Sequence, residues 1–221
     1  MLAIKENKKL ILHMPKCAGS SIRWAVVEKY TYQWSCEHAP ILKVPNMYKF
    51  YKRVGFCRNP MTWYQSKYNQ GLTAFQRNGF ELTGLMCLIT QNFTLNFMQA
   101  LPIMLDFENF MSKPLNIKLF KKRMQSLQMN NYNCRNAMMY EDINAIDQNT
   151  FKGSLYGFYY NMIGLNTATV YKIDDGKLSE YVHREFPLVD SIHRRNTGKY
   201  ERFTSNIISD VDDYYIKLNN Y

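Results

Sequence analysis

The sequence lacks three features that would each place it in a class at once. The apolar run that follows the N-terminus, Leu10 to Met14, is far shorter than the roughly 20 residues that a membrane-spanning helix needs. The five cysteines form no CxxC pair of the kind that binds zinc or supports redox chemistry. No unit repeats along the chain. These absences predict a cytoplasmic protein with free thiols, without a signal peptide or a membrane span.

Acidic residues are also scarce, since 18 Asp and Glu stand against 28 Lys and Arg, a formal net charge of +10. Such a balance favours a polyanionic partner: nucleic acid, an acidic polysaccharide, an anionic membrane surface or a small phosphorylated ligand. Charge alone does not choose among these partners. A chain of 221 residues that is 46% hydrophobic can bury one core of ordinary size. We therefore predict a single domain over residues 1–221.

The first recognisable pattern is a strand, a loop of small residues and a helix. Leu10 to Met14 is typical of a short buried strand, and apolar residues recur at helical spacing from Ile22 to Tyr30. Between them lies Pro15 to Ser21. The first N–H groups of a helix have no intrahelical acceptor, and the helix dipole favours an anion there. This order of elements therefore predicts a phosphate-binding loop.

A second unit of the same kind follows. Arg53 to Cys57 has the composition of a strand, and Arg58 stands at its end. Asn59 suits the N-cap position of a helix and Pro60 its first turn. Arg58 offers a bidentate fork, and Ser66, two helical turns later, offers a hydroxyl. Together they predict a site for one further phosphate.

The remaining elements complete an α/β pattern. Helical spacing marks residues 107–112, 115–127 and 156–163, and residues 169–173 have the composition of a late strand. Alternating strands and helices predict a P-loop-like three-layer domain, in which a central parallel sheet carries helices on both faces. Residues 128–149 are rich in Asn, Met and Gln and predict a loop-rich insertion, while residues 207–218 predict a closing surface helix.

The first loop departs from the Walker A motif of ATP- and GTP-binding enzymes. That motif places its lysine after the last glycine, next to a magnesium-binding hydroxyl, whereas Lys16 precedes Gly19. No later strand end presents an acidic residue as a magnesium ligand. Lys16 is therefore expected to supply charge beside Ser20 and Ser21, in chemistry that requires no metal.

Two segments resemble the nucleotide-binding signatures of the sulfotransferase superfamily, and its Golgi-type carbohydrate branch is the more similar. They are His13 to Ser21, and Arg58 to Pro60 continued by Ser66 to Tyr68. The resemblance is sharp over the first third of the chain and returns more weakly at residues 170–175 and 187–200.

The resemblance implies a donor and its binding residues. The donor is 3′-phosphoadenosine-5′-phosphosulfate, which carries the sulfonate to be transferred. Its 5′-phosphosulfate is expected to contact Lys16, Cys17, Ala18, Gly19, Ser20 and Ser21, and its 3′-phosphate Arg58 and Ser66. A late basic loop folds over the nucleotide in this family, which makes Ser191, Arg194 and Arg195 further candidates.

The family's reaction is an in-line displacement at sulfur. Lys16 is expected to steady the charge that gathers on the leaving phosphate oxygen. His38 is our candidate for the base that takes the proton of the acceptor hydroxyl, with Glu37 as the substitute. His13, at the end of the first strand, is expected to be a packed structural residue.

Acceptor recognition has no comparable signature. A carbohydrate hydroxyl is the expected acceptor, with a tyrosine side chain or a small metabolite left open. Aromatic residues cluster at 48–51 and 156–160; their faces would suit a sugar ring, but we expect both clusters to be core. The oligomeric state has no signature either.

Two other classes compete with this interpretation. A P-loop nucleoside or nucleotide kinase would share the strand, loop and helix, and it would require magnesium. A non-catalytic RNA-binding or nucleotide-sensing protein would use the basic run Lys121 to Arg123, and its nucleic-acid affinity would fall steeply with salt. Such a run is more often a solvated helix face, and no nucleic-acid partner is expected.

Overall fold

Five strands and eight α-helices make up the described part of the chain, which is an α/β protein. The computed structural model describes residues 1–35, 40–79, 84–129, 147 and 150–192. The strands are β1 (Leu2–Ile4), β2 (Lys9–Leu12), β3 (Tyr32–Ser35), β4 (Lys52–Cys57) and β5 (Thr169–Lys172). The helices are α1 (Gly19–Val27), α2 (Pro60–Asn78), α3 (Leu85–Ile89), α4 (Phe97–Leu105), α5 (Phe107–Ser112), α6 (Pro114–Met129), α7 (Leu155–Ile163) and α8 (Leu178–Glu185).

The chain divides into two compact units. The first holds residues 1–59 and the described residues from Tyr159 onward, and it contains the whole sheet. The second is Pro60–Phe158 among the described residues, and it is built from helices α2 to α6 with the first residues of α7.

The sheet has the strand order β3-β1-β2-β4-β5. Parallel pairs join β2 to β4 and β4 to β5, whereas β1 is antiparallel to both of its neighbours. Four strands therefore run in one direction and one against them, so the predicted parallel sheet is confirmed in part: the sheet is mixed and mostly parallel. The difference lies in Leu2–Ile4, a buried three-residue strand too short to show a period in the sequence.

One face of the sheet is covered by α1 and α8. The buried side chains of this cluster include Ile22 and Val26 from α1, Leu178 and Val182 from α8, and Val54 from β4. Strand residues enter the cluster at every second position, as the period of an extended chain requires. On β4, Gly55 points to the opposite face, where a Cβ would overlap the Leu165 side chain.

The second unit is held together by aromatic side chains. The rings of Trp63 and Tyr156 lie edge to face, with 5.3 Å between their centroids. Phe151 packs against three further rings, Phe107, Phe120 and Phe158. These contacts bury large apolar areas and fix ring geometry at the same time. The expectation that residues 156–160 are core is confirmed for all four aromatic residues of that run.

The other aromatic cluster is only partly core. Tyr48 is buried, as expected, but 94% of Phe50 is exposed. The prediction for this cluster is therefore wrong at Phe50. Tyr48 and Tyr51 are three residues apart in a chain of tight turns and lie on one side of it, which turns Phe50 to the other.

The predicted helices agree well with the observed ones. Residues 107–112 form α5, 115–127 lie within α6 and 156–163 lie within α7. The predicted insertion 128–149 begins in the helix, because α6 continues to Met129. Apart from Asp147 its remainder lies outside the described residues, as does the predicted closing helix 207–218.

A buried carboxylate joins α8 to three strands. Glu185 forms ion pairs with Lys9, at 2.7 Å, and with Lys52, at 3.1 Å. The Tyr171 hydroxyl donates to its Oε1 at 2.6 Å. Burial alone would raise the pKa of Glu185, but the hydrogen bonds from Lys9, Tyr171 and Lys52 outweigh it and lower that pKa from 4.5 to about 2.

Glu185→Gln is expected to lower the free energy of unfolding by about 3 kcal/mol at neutral pH, because it removes the carboxylate charge that pairs with the part-buried Lys9 and with the more exposed Lys52. In the unaltered protein, the carboxylate's contribution to the free energy of unfolding is complete above pH 4.5 and is lost as the pH falls towards about 2. Urea unfolding across this range measures both effects. Glu180→Gln, on an exposed position of the same helix, is the control; equal losses in both variants would contradict the assignment.

Candidate nucleotide site

Three neighbouring strands end at one edge of the sheet. Because β2, β4 and β5 are parallel and adjacent, the residues that follow them come together there. The loop 13–18 follows β2, and Arg58 follows β4. Asp174 comes shortly after β5, where the Ile173 N–H donates to the Cys57 carbonyl at 2.9 Å. All of these residues belong to the first unit.

The loop after β2 has an unusual backbone. Lys16 and Ala18 have φ values of 66° and 56°, in the left-handed region that residues with a Cβ seldom adopt. The Cys17 N–H, between them, donates to the Met14 carbonyl at 3.3 Å. Each left-handed residue costs on the order of 1 kcal/mol or more, and such strain is concentrated at ligand sites. Turns of this kind direct N–H groups to one side and bind anions.

The N-terminus of α1 completes the loop. Ala18 is its N-cap residue and makes no side-chain capping hydrogen bond. Within the described ranges, the N–H groups of Gly19, Ser20 and Ser21 donate to no acceptor. The first hydrogen bond of the helix is donated by the Ile22 N–H to the Ala18 carbonyl, at 3.0 Å. Ser20 is exposed and Ser21 half-buried. Three consecutive donors at a helix N-terminus are suited to a phosphate or sulfate group.

Gly19 is required by its contact with His13. A Cβ at this position would overlap the His13 ring, which is buried at the end of β2. The expectation that His13 is a packed residue is confirmed. Its ring lies against the first residue of α1, so it holds the helix N-terminus close to the strand end.

Cys17 contributes its backbone rather than its thiol. Burial raises the pKa of the Cys17 thiol well above its usual range, and the nearby Cys57 raises it further. Arg58 and Lys16 lower the same pKa, with less effect than burial has. A buried thiol of high pKa is neutral and a poor nucleophile. Both cysteines are buried, Cys17 within the loop and Cys57 at the end of β4.

Arg58 faces an acidic partner at the next strand end. Its Nε lies 3.5 Å from Asp174 Oδ1, and the Asn59 N–H donates to Asp174 Oδ2 at 2.5 Å. An acidic residue therefore does follow a later strand end, and the prediction that none there serves as a magnesium ligand stays a prediction. An aspartate directly after a late strand was the available signal, but its place beside Arg58 depends on the β4–β5 pairing.

The other predicted site residues are distributed differently. Ser66 lies on α2 in the second unit, where it is buried, and its pairing with Arg58 on one phosphate stays a prediction. Ser191 follows α8 and is exposed. His38, Glu37, Arg194 and Arg195 lie outside the described residues. The structure therefore brings together the loop residues 16–21 and Arg58, and it adds Asp174.

Two further searches covered only the ranges that the structure describes. No three His, Cys, Asp or Glu side chains there are grouped so that they could hold a metal ion. Over the same residues, none of the helices combines the length and apolarity that crossing a bilayer demands. The basic run 121–123 lies on α6 between the buried residues Phe120 and Met124; Lys122 is exposed, and Lys121 and Arg123 are half-buried.

No family model, no curated protein and no solved structure matches this chain.

Gly19→Ala is expected to lower the free energy of unfolding by about 1–3 kcal/mol, because the added methyl group overlaps the His13 ring. His13→Ala removes the obstruction. In a double-mutant cycle measured by urea unfolding, the double variant should therefore lose about 1 kcal/mol less unfolding free energy than the two single variants lose together. Strict additivity would show that the ring does not lie against Gly19.

Proposed function

We propose that this protein is a sulfotransferase that moves a sulfonate group from 3′-phosphoadenosine-5′-phosphosulfate to an acceptor hydroxyl. One observation carries the proposal: the two segments that resemble the sulfotransferase signatures follow β2 and β4, which are adjacent and parallel. Segments some 40 residues apart in the chain thus reach the same edge of the sheet. Nucleotides bind at such edges in α/β proteins.

The first segment supplies what the donor's 5′ end needs. The N–H groups of Gly19, Ser20 and Ser21 would bind the phosphosulfate oxygens, and Lys16 would add a positive charge. Lys16 and Ala18 already have left-handed conformations without a ligand. The free-energy cost of that backbone is therefore met on folding, and binding need not order the loop. This preorganisation supports an anion as the ligand.

The second segment supplies a fork for the 3′-phosphate. A guanidinium has five N–H donors, so an ion pair through Nε is compatible with binding a second anion. Asp174 forms an ion pair with the Nε of Arg58 and accepts a hydrogen bond from the Asn59 N–H. We assign Asp174 the role of a positioning residue that orients the fork. The role of Ser66 on the same phosphate rests on the resemblance.

The transfer itself is an in-line displacement. The acceptor oxygen forms a bond to sulfur while the bond from sulfur to the 5′-phosphate oxygen breaks, and the donor departs as adenosine 3′,5′-bisphosphate. The acceptor proton passes to a base, for which His38, with Glu37 as the substitute, is the candidate. Lys16 stabilises the charge that develops on the departing oxygen. No step of this sequence needs a metal ion, and a late loop with Ser191, Arg194 and Arg195 would cover the nucleotide.

A carbohydrate hydroxyl is the proposed acceptor. Its support is the resemblance to the Golgi-type branch together with the net charge of +10, which favours acidic glycans.

One observation favours a second candidate, a nucleoside or nucleotide kinase. Asp174 places a carboxylate at the strand edge where phosphoryl-transfer enzymes hold magnesium. Its two oxygens are engaged by Arg58 and by the Asn59 N–H, which favours the positioning role. Magnesium dependence of ATP binding separates the two functions.

Arg58→Ala is expected to weaken donor binding by about tenfold to a hundredfold, because hydrogen bonds to a charged group are lost. Equilibrium dialysis with ³⁵S-labelled donor measures this without an acceptor. Arg53→Ala is the control, since Arg53 lies at the other end of β4 and donates to Thr167. Arg58→Lys, which keeps the charge without the fork, should be intermediate. Equal affinity in Arg58→Ala and the unaltered protein would remove Arg58 from the site.

Lys16→Ala is expected to lower the turnover of sulfonate transfer by about a hundredfold or more, because a charge that acts on the leaving oxygen is lost. Transfer of ³⁵S from the donor to desulfated heparin or chondroitin is the assay. Lys8→Ala is a matched control: Lys8 also has a left-handed backbone, with φ 49°, but it lies in the turn before β2. Equal turnover in both variants would contradict the catalytic role of Lys16.

A further inference from the structure

The segment between β3 and β4 projects apolar side chains into solvent. Its described part, residues 40–51, is called the projecting segment below. It consists of two short 3₁₀ turns, Ile41–Lys43 and Asn46–Tyr48. A proline precedes each turn, Pro40 and Pro45, in the extended conformation that its ring favours. Proline-flanked turns hold their side chains in one arrangement at little entropic cost.

One side of the projecting segment is attached to the protein. Tyr48 is buried and packs edge to face on Tyr51, with 5.4 Å between the ring centroids. It also lies against Trp34 of β3. The Tyr51 hydroxyl donates to Gln33 Oε1 at 3.0 Å. These contacts fasten the segment to the edge strand of the sheet and determine which side faces outward.

Three large apolar side chains of the projecting segment are exposed. Leu42 is 86% exposed, Met47 68% and Phe50 94%. Met47 and Phe50 are three residues apart in consecutive tight turns, so their side chains point in the same direction. None of these three side chains has a polar tip. Scattered exposed apolar residues are ordinary, but three large ones in nine residues of a rigid segment indicate a partner that takes up apolar groups.

The charged residues within the projecting segment are both lysines. Lys43 and Lys49 are exposed and alternate with the apolar residues along the chain. The sequence from Pro40 to Gly79 has no Asp or Glu at all. Apolar side chains that alternate with lysines suit the interface of an anionic bilayer, where the apolar groups enter the acyl boundary and the ammonium groups meet lipid phosphates.

We propose that the projecting segment docks this protein onto the surface of an anionic lipid bilayer. The chemistry favours lipid over other polyanions. Sequence-specific nucleic-acid sites rely on side chains that hydrogen-bond to base edges, arginine above all, and single-strand sites on several aromatic rings in a row. The projecting segment offers one aromatic ring, Phe50, beside two aliphatic side chains, Leu42 and Met47, and its charges are those of lysines and not of arginines. Docking of this kind is peripheral and reversible, and it goes beyond the proposed sulfonate transfer, on which it does not depend.

Co-sedimentation with vesicles tests the proposal. The full chain is mixed with vesicles of phosphatidylcholine that contain phosphatidylserine, and separately with phosphatidylcholine alone. Sedimentation with the anionic vesicles, weakened by added salt, is the expected result. Met47→Ser with Phe50→Ser should reduce the bound fraction by about tenfold, because binding then no longer transfers two large apolar side chains from water into the bilayer. Lys43→Gln with Lys49→Gln should produce a loss of about the same size.

Matched controls lie on α6. Leu115→Ser with Leu119→Ser removes two exposed leucines, and Lys118→Gln with Lys122→Gln removes two exposed lysines. Both control variants should retain vesicle binding. Near-UV circular dichroism verifies that each variant is folded.

Three outcomes would overturn the proposal. The first is an absence of vesicle binding by the unaltered protein. The second is an equal loss in the projecting-segment and α6 variants, which would indicate attraction by net charge alone. The third is a dimer, seen by analytical ultracentrifugation, that Phe50→Ser abolishes while vesicle binding is unchanged; the segment would then be a contact between two copies of this chain.

Discussion

The parallel pairing of β2 with β4, and of β4 with β5, is the constraint on which the candidate site depends. Backbone hydrogen bonds fix the register, so Leu12 stands beside Gly55 and Cys57 beside Lys172. The chain then leaves three neighbouring strands at one edge. A lysine-containing loop, an arginine and an aspartate are brought together from distant parts of the sequence. Each of them would be an ordinary surface residue without this register.

Contacts at both ends of the parallel strands attach helices of the first unit to the sheet. His13 lies against Gly19 and ties the start of α1 to the end of β2. Glu185 joins the end of α8 to the first residues of β2 and β4 through Lys9 and Lys52. The carboxylate itself is buried, and the two lysines supply the positive charge without which burying it would be costly. Unlike Lys9 and Lys52, Lys16 lies in the loop that follows the end of β2.

Much of the architecture could be predicted from the sequence, because strands β2, β4 and β5 and helices α1, α2, α5, α6 and α7 all have clear patterns. The strand β1 could not, since three buried residues show no period and their antiparallel pairing depends on a turn at Lys8. The exposure of Phe50 could not be predicted either, because composition does not show which side of a tight turn faces the core. The Arg58–Asp174 ion pair joins residues far apart in the chain, and only the strand register reveals it.

The most direct test of the sulfotransferase account is isothermal calorimetry of the unaltered protein with adenosine 3′,5′-bisphosphate, the expected product, in a buffer that contains a metal chelator. ATP with magnesium is titrated in parallel. The account predicts micromolar binding of the bisphosphate without metal and much weaker binding of ATP, because the second phosphate meets the Arg58 fork. Tight binding of magnesium-ATP together with no binding of the bisphosphate would contradict it.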